Sequence, residues 1–319
     1  MTKRERVVAA IKGQEVDCIP SGFSLHFKGE VAFGNAAIDA HLDFFKETDT
    51  DILKVMNENL VPYMGEIKTA KDYAKVKSIS LDDKFMQDQI DLTKNILERC
   101  DKDGFTMGTL HGICASAIHP LEKMGLDYHQ VRTLLANMLR EDSKTVLDGM
   151  QRITDGMCQL AREYIKMGLD AVYYASLGAE HQHFTDEEFA EYIEPFDKKI
   201  MSAIREEGGY CFLHICKDNL NMDRYKNYSD YFDVVNWGVY ETDFSLEEGK
   251  KLFPNKTIMG GLPNRTGVLV DGTEDEIRKS VNDIISSFGK EEFILGADCT
   301  LATEQDLAKV KTAVDAARQ

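Results

Sequence analysis

Eight short apolar runs recur along the 319 residues, centred near positions 22, 53, 107, 173, 212, 235, 258 and 294. Each has the length and composition of a strand, and each is followed by a stretch with helical periodicity. That alternation leaves few architectures. Parallel strands need long crossovers, crossovers are right-handed, and eight such units close on themselves. The expected fold is therefore α/β, a (β/α)8 TIM barrel, folded as a single domain over residues 1–319. No linker rich in Pro, Gly or Ser divides the chain, and no fixed-period repeat is visible beyond the alternation itself.

The remaining local signals fit this frame. Thr2 caps an N-terminal helix that runs to about Lys12 and stops at Gly13. Cys18 to Phe27 reads as the first strand, interrupted at Pro20-Ser21-Gly22. The third strand, Gly104 to Leu110, ends at His111-Gly112. After it the sequence predicts a helical insert over Ala115 to Leu139, ahead of a long helix over Ser143 to Met167. Thr185-Asp186-Glu187-Glu188 opens one helix that continues to about Glu207.

In such barrels the chemistry sits at the C-terminal ends of the strands. His214 and Cys216 end the fifth run, two residues apart and so on one face of a strand. An imidazole and a thiol suit Zn²⁺, and Cys299, just past the last run, is the expected third ligand. The alternative is a buried His beside a Cys that packs as a small hydrophobe. Glu180 and His183, in a loop that also holds His181, are candidate catalytic or ligand-orienting groups, or else a solvated turn. Asn236 is a further catalytic candidate, and Asn57, His111 and Trp237 are candidates for binding a cofactor or flat ligand; turn formation and core packing are the competing roles for the Asn residues and Trp237. Lys54 interrupts the second run and can be buried only if paired.

A formal net charge of −17 argues against nucleic acid, which needs clustered Lys and Arg. No apolar stretch is long enough to span a membrane, and no leader pattern opens the chain. Seven scattered cysteines with no disulfide framework suggest a reducing cytoplasm.

Several segments, in order, resemble the uroporphyrinogen decarboxylase-like superfamily: Lys3-Arg4-Glu5-Arg6-Val7 through Asp17-Cys18-Ile19-Pro20, Leu213 to Cys216, Gly260-Gly261-Leu262 with Gly267-Val268-Leu269, and Phe293 to Cys299. The resemblance implies a (β/α)8 barrel. The decarboxylase branch carries an Arg motif after the first strand, whereas Ser21-Gly22-Phe23-Ser24-Leu25-His26 has none. The chain is more similar to the corrinoid-dependent branch, including methylcobamide:coenzyme M methyltransferases, whose H-x-C and distant C match His214, Cys216 and Cys299. That implies Zn²⁺ bound by these three residues, and methyl transfer between a small thiol or methoxylated compound and a corrinoid. No D-x-H-x-x-G corrinoid motif is present, so the corrinoid is expected on a separate binding protein. Asp298-Cys299-Thr300-Leu301 departs from the branch's usual Gly-Cys-Gly tail, which implies a different substrate. A decarboxylase acting on a non-porphyrin substrate, and a non-catalytic small-molecule-binding barrel with a structural zinc, are the alternative readings.

Overall fold

The computed structural model describes residues 1–319. Seven strands form one sheet in sequence order: β1 Ile52–Val55, β2 Phe105–His111, β3 Ala171–Ser176, β4 Tyr210–Ile215, β5 Val234–Trp237, β6 Thr257–Leu262 and β7 Phe293–Ala297. Every neighbouring pair is parallel, with helices in the connections, so the α/β barrel-like class holds. The eighth expected strand is the exception. Residues 18–27 make only isolated bridges, Ser21 to Leu295 and Leu25 to Leu301. Pro20 has no N–H to give a ladder. The segment nevertheless bonds to both edge strands. Gly22 N–H donates to Leu295 O at 2.9 Å, and the N–H groups of Asp51 and Ile52 donate to Ser21 O at 2.9 and 3.2 Å.

Strand alternation sorts the side chains into two cores. Inward-facing Ile52, Met107, Phe212, Val234, Met259 and Ile294 fill the sheet's concave side. Val7 and Ala10 of the N-terminal helix, Lys3–Ile11, join them and plug the end where the strands begin. Thr257 Oγ1 donates to Ala10 O at 2.9 Å and ties that plug to β6. The outward residues pack under the helices in a far larger cluster, which includes Leu53, Leu213, Val235 and Trp237.

The helices follow their caps. Thr2 closes a capping box on Glu5, as Thr185 does on Glu188. The single helix expected to run from 185 to about 207 is two, Asp186–Tyr192 and Glu194–Glu206, because Pro195 cannot extend the first. Between β2 and the long helix Ser143–Lys166 stand a helix at Ile113–Ile118, a tight 3₁₀ turn at His119–Met124 and a helix at Tyr128–Glu141. These cover the mouth from one side.

Candidate metal centre and cavity

The inward layer above the apolar core carries the polar residues. Two positions on from Phe212 is His214; two on from Val234 is Asn236; two on from Ile52 is Lys54. His214 and Asn236 sit side by side in register on β4 and β5. Cys216 lies just beyond the end of β4, fixed by its N–H to Ser176 O at 3.0 Å. Cys299 lies just beyond β7. One nitrogen of His214 and the sulfurs of Cys216 and Cys299 all fall within 4.8 Å of one another. Ligand bonds of about 2.0–2.3 Å in a tetrahedral site would set such donors about 3.5 Å apart, a small contraction from this spread.

Two observations test whether the residues fit a metal. Both ring nitrogens of His214 are buried without a hydrogen-bond partner, a costly state unless something accepts a bond there. Hydrogen bonding between the two thiols, aided by His214, holds Cys299 well below the usual thiol range and raises Cys216 well above it. One sulfur is thus poised as a thiolate, the form that binds metal. The donor set fits Zn²⁺.

The ring of His214 stacks on Tyr173, with centroids 5.2 Å apart and planes 23° off parallel. The Tyr173 hydroxyl donates to Asn236 Oδ1 at 2.7 Å. The Asn236 amide donates in turn to Met259 O at 2.9 Å and Ala297 O at 3.1 Å. It can span to β7 because the residue between on β6 is Gly260, which has no side chain. Asn236 therefore lies beneath the centre, joining β3, β5, β6 and β7.

A cavity of about 230 Å³ opens beside the centre, and His214, Cys216 and Cys299 form part of its wall. His26, Lys54, Glu58, His111, His119 and Tyr128 are among the residues facing it. His26 Nδ1 bonds Glu58 Oε1 at 2.9 Å. Burial pushes His111 down to about 4 and His119 well below the usual imidazole range, so both are neutral near pH 7. Lys54 is held down to about 8 by burial and remains charged at neutral pH.

Of the residues expected at the site, His214, Cys216, Cys299 and His111 are brought together. Glu180 and His183 are not. Glu180 is fully buried, ion-paired with Arg132, and accepts from Gly178 N–H at 2.9 Å. His183 is buried against His129, with ring centroids 4.9 Å apart. Arg224 donates to the carbonyls of Gly178, Glu180 and Phe184 and holds this loop closed. Asn57 and Trp237 do not line the cavity either. Trp237 is one residue out of phase with the inward Asn236, so its side chain faces the helices. Trp237 packs edge-on to Phe244 and donates its indole N–H to Phe244 O at 3.0 Å. Asn57 Oδ1 accepts from Asn59 N–H at 3.0 Å. Tyr173, Glu58, His119 and Tyr128 were not expected at the site. Strand phase from His214 would have exposed the inward layer, but nothing in the sequence says how far the helices after β2 reach over the mouth.

Fold and site together define a parallel α/β barrel-like protein with a His-Cys-Cys centre at the strand ends. The chain belongs to the uroporphyrinogen decarboxylase (URO-D) family, whose sequence profile matches residues 54–319. Its fold is similar to that of a methyltransferase from Methanosarcina mazei, with TM-score 0.78 at 17% identity over 99% of this chain and 98% of the other. A B12-independent methionine synthase from Shewanella sp. W3-18-1 shares the fold with TM-score 0.63 at 11% identity, over 94% of this chain and 97% of that one. A putative vitamin-B12 independent methionine synthase from Listeria monocytogenes gives 0.58 at 13%, over 93% and 95%. No curated protein sequence matches the chain. No helix is long and apolar enough to cross a membrane.

Proposed function

We propose that the protein is a zinc-dependent methyltransferase. It moves a methyl group between a small thiol or methoxylated compound and a corrinoid carried on a partner protein. The observation that carries this reading is the unpartnered His214 facing two thiols at a cavity mouth. Family membership and the methyltransferase fold support it.

His214, Cys216 and Cys299 would hold the zinc ion, which supplies a Lewis-acid position where a thiol is acidified or an ether oxygen polarised. The chain's own residues do the rest. Tyr173 and Asn236 fix the imidazole plane from below. The neutral His111 and His119 offer hydrogen bonds to a bound molecule without competing for protons. The His26–Glu58 pair, bonded at 2.9 Å, sets a polar contact on the cavity wall for a bound molecule. Glu180 acts at a distance, pairing with Arg132 to hold the loop after β3, and His183 packs on His129 beside it. The partner protein docks over the mouth, formed by the loops that follow the strands. All seven cysteines are free, which suits a reducing cytoplasm.

The test is metal analysis and methylcobalamin demethylation, followed by absorbance with added thiols, on the wild type and Cys216→Ala. Wild type should carry one zinc per chain, and the variant should lose metal and activity together. Loss of zinc with retained methyl transfer would defeat the mechanism.

A further inference from the structure

We infer that Asp197, buried outside the cavity, is a positioning residue for the metal centre: through Ser176 it holds the backbone to which Cys216 is tied. The inference rests on the proposed function only for the metal that Cys216 takes.

Asp197 lies on the buried face of the helix Glu194–Glu206 and is fully buried. Its buried neighbours there are Ile200, Met201, Ala203 and Ile204, so a residue that only filled this space would be apolar. A carboxylate in such a place needs partners. Three hydroxyls act as those partners. Tyr174 donates to Oδ1, while Ser176 Oγ at 2.9 Å and Tyr228 at 3.4 Å donate to Oδ2. No Lys or Arg is paired with it. The adjacent Lys198 is turned to Glu194 and to the rings of Tyr228 and Tyr231. Burial pushes the carboxyl up to about 7 against the pull of the hydrogen bonds, so it is largely ionised at pH 8.

An ionised carboxylate only accepts, and that fixes the sense of each bond around it. Ser176 gives its one proton to Asp197, so the Tyr225 hydroxyl, 2.8 Å away, must donate to Ser176. Tyr174 gives its own to Asp197 and accepts from the Ile113 N–H at 3.1 Å. The end of β3, the helix at 194–206, the turn Met222–Tyr225 and the start of the helix at Ile113 are thereby joined.

Cys216 needs such a support. It lies one residue past β4, and the chain then enters the left-handed region, with φ of 86° at Lys217 and 51° at Asn219. That backbone is disfavoured for residues other than Gly, so the strand does not carry Cys216 into place by simple continuation. Its N–H bond to Ser176 O at 3.0 Å holds it, and Ser176 is itself the last residue of β3. A strand end frays unless something besides the ladder fixes it. The Ser176 side chain, held between Asp197 and Tyr225, does so. Asn at position 197 has nearly the same shape, but it sets an amide donor against a hydroxyl donor, so one bond must break or reverse.

The test reads the metal directly, with no turnover required. Zinc affinity is measured at pH 8 by competition with a chromophoric chelator, and the geometry of the centre from thiolate-to-cobalt absorption of the Co²⁺-loaded protein. Wild type is compared with Asp197→Asn, Ser176→Ala, the two together, and Gly249→Ala, which crowds Trp237 instead and controls for lost stability alone. Asp197→Asn and Ser176→Ala should each weaken zinc about 10-fold, the scale for groups that orient a ligand, and should change the cobalt spectrum in the same way. The double variant should be no weaker than the worse single one, because both act along one path. Gly249→Ala should unfold at lower urea yet bind zinc as wild type does. Wild-type zinc affinity in Asp197→Asn, additive losses in the double variant, or an equal zinc loss in Gly249→Ala would overturn the inference. Ser176→Ala, which deletes one buried atom, decides if Asp197→Asn does not fold. Methylcobalamin demethylation, measured separately, judges the reaction. Zinc weakened in the variants of a protein that never demethylates sinks only the reaction; a demethylating protein whose variants keep their zinc sinks only the role of Asp197. A wild type that takes up no metal sinks both.

Discussion

Tyr173→Phe separates a supporting role for Asn236 from a chemical one. The change removes one atom, the hydroxyl oxygen that donates to Asn236 Oδ1 at 2.7 Å. Tyr173 is 5% exposed and Asn236 1%, so no water replaces the lost donor readily. Asn236 keeps its two amide bonds to Met259 O and Ala297 O, so its carbonyl oxygen alone is orphaned. Leaving one buried acceptor unsatisfied costs about 1–3 kcal/mol. The ring itself stays, with its contacts to Lys54 and His214, so the centre should keep its metal.

Urea unfolding of wild type, Tyr173→Phe, Asn236→Leu and the double variant measures the coupling. With Asn236 already replaced, the hydroxyl has no partner to lose. The second substitution should therefore cost less than the first, with an interaction of about 1–2 kcal/mol between the sites. Zinc content of Tyr173→Phe should equal that of wild type. A cost below about 0.5 kcal/mol with no coupling would refute the strut. A stability-neutral Tyr173→Phe whose kcat has collapsed would instead assign Asn236 to the chemistry.

Two other outcomes follow from buried groups outside the centre. Burial holds the His41 imidazole down to about 4 from 6.5, and its neutral ring both donates to Ala37 O at 2.6 Å and accepts from Met56 N–H at 2.9 Å. The unfolded chain therefore binds more protons than the folded one between those values. Stability is fully present above pH 6.5 and falls with pH through the window, by up to about 1.4 kcal/mol per unit from this group. His41→Leu should start lower at pH 7 and decline less steeply toward pH 4.5 in urea titrations; an unchanged slope would reject the assignment. At Gly249, an added Cβ would overlap the six-membered ring of Trp237, itself held by its bond to Phe244 O. Gly249→Ala should cost about 1–3 kcal/mol or more by overpacking, seen as a lower urea midpoint with zinc retained. A neutral Gly249→Ala would mean that Trp237 is free to swing.

The strand alternation in the sequence carried the class of fold, and the H-x-C spacing carried the centre, because both rest on a backbone period that does not depend on partners. Where the reading departs from the structure, a partner decided. The run at 18–27 has strand composition, but Pro20 breaks its ladder, and Ser21 is claimed by Asp51, whose carboxylate accepts from the Ser21 N–H and hydroxyl. Asn236 and Trp237 were given site roles together, yet consecutive strand residues cannot share a face; once His214 is fixed inward, its register with Asn236 sends Trp237 to the helices. The Glu180 to His183 loop looked functional from its residue types. What closes it, Arg132 and Arg224, lies 48 residues back and 44 on, counted from Glu180, and no local pattern ties those side chains to it. Lys54 is the converse case. The sequence required a partner for a buried lysine, and the fold provides a hydroxyl, an aromatic face and the negative charge of Cys299 and Cys216. The partner that satisfies the burial rule comes from just past β4 and β7, far along the chain from β1, so residue type alone could state the requirement for Lys54 but not name what meets it.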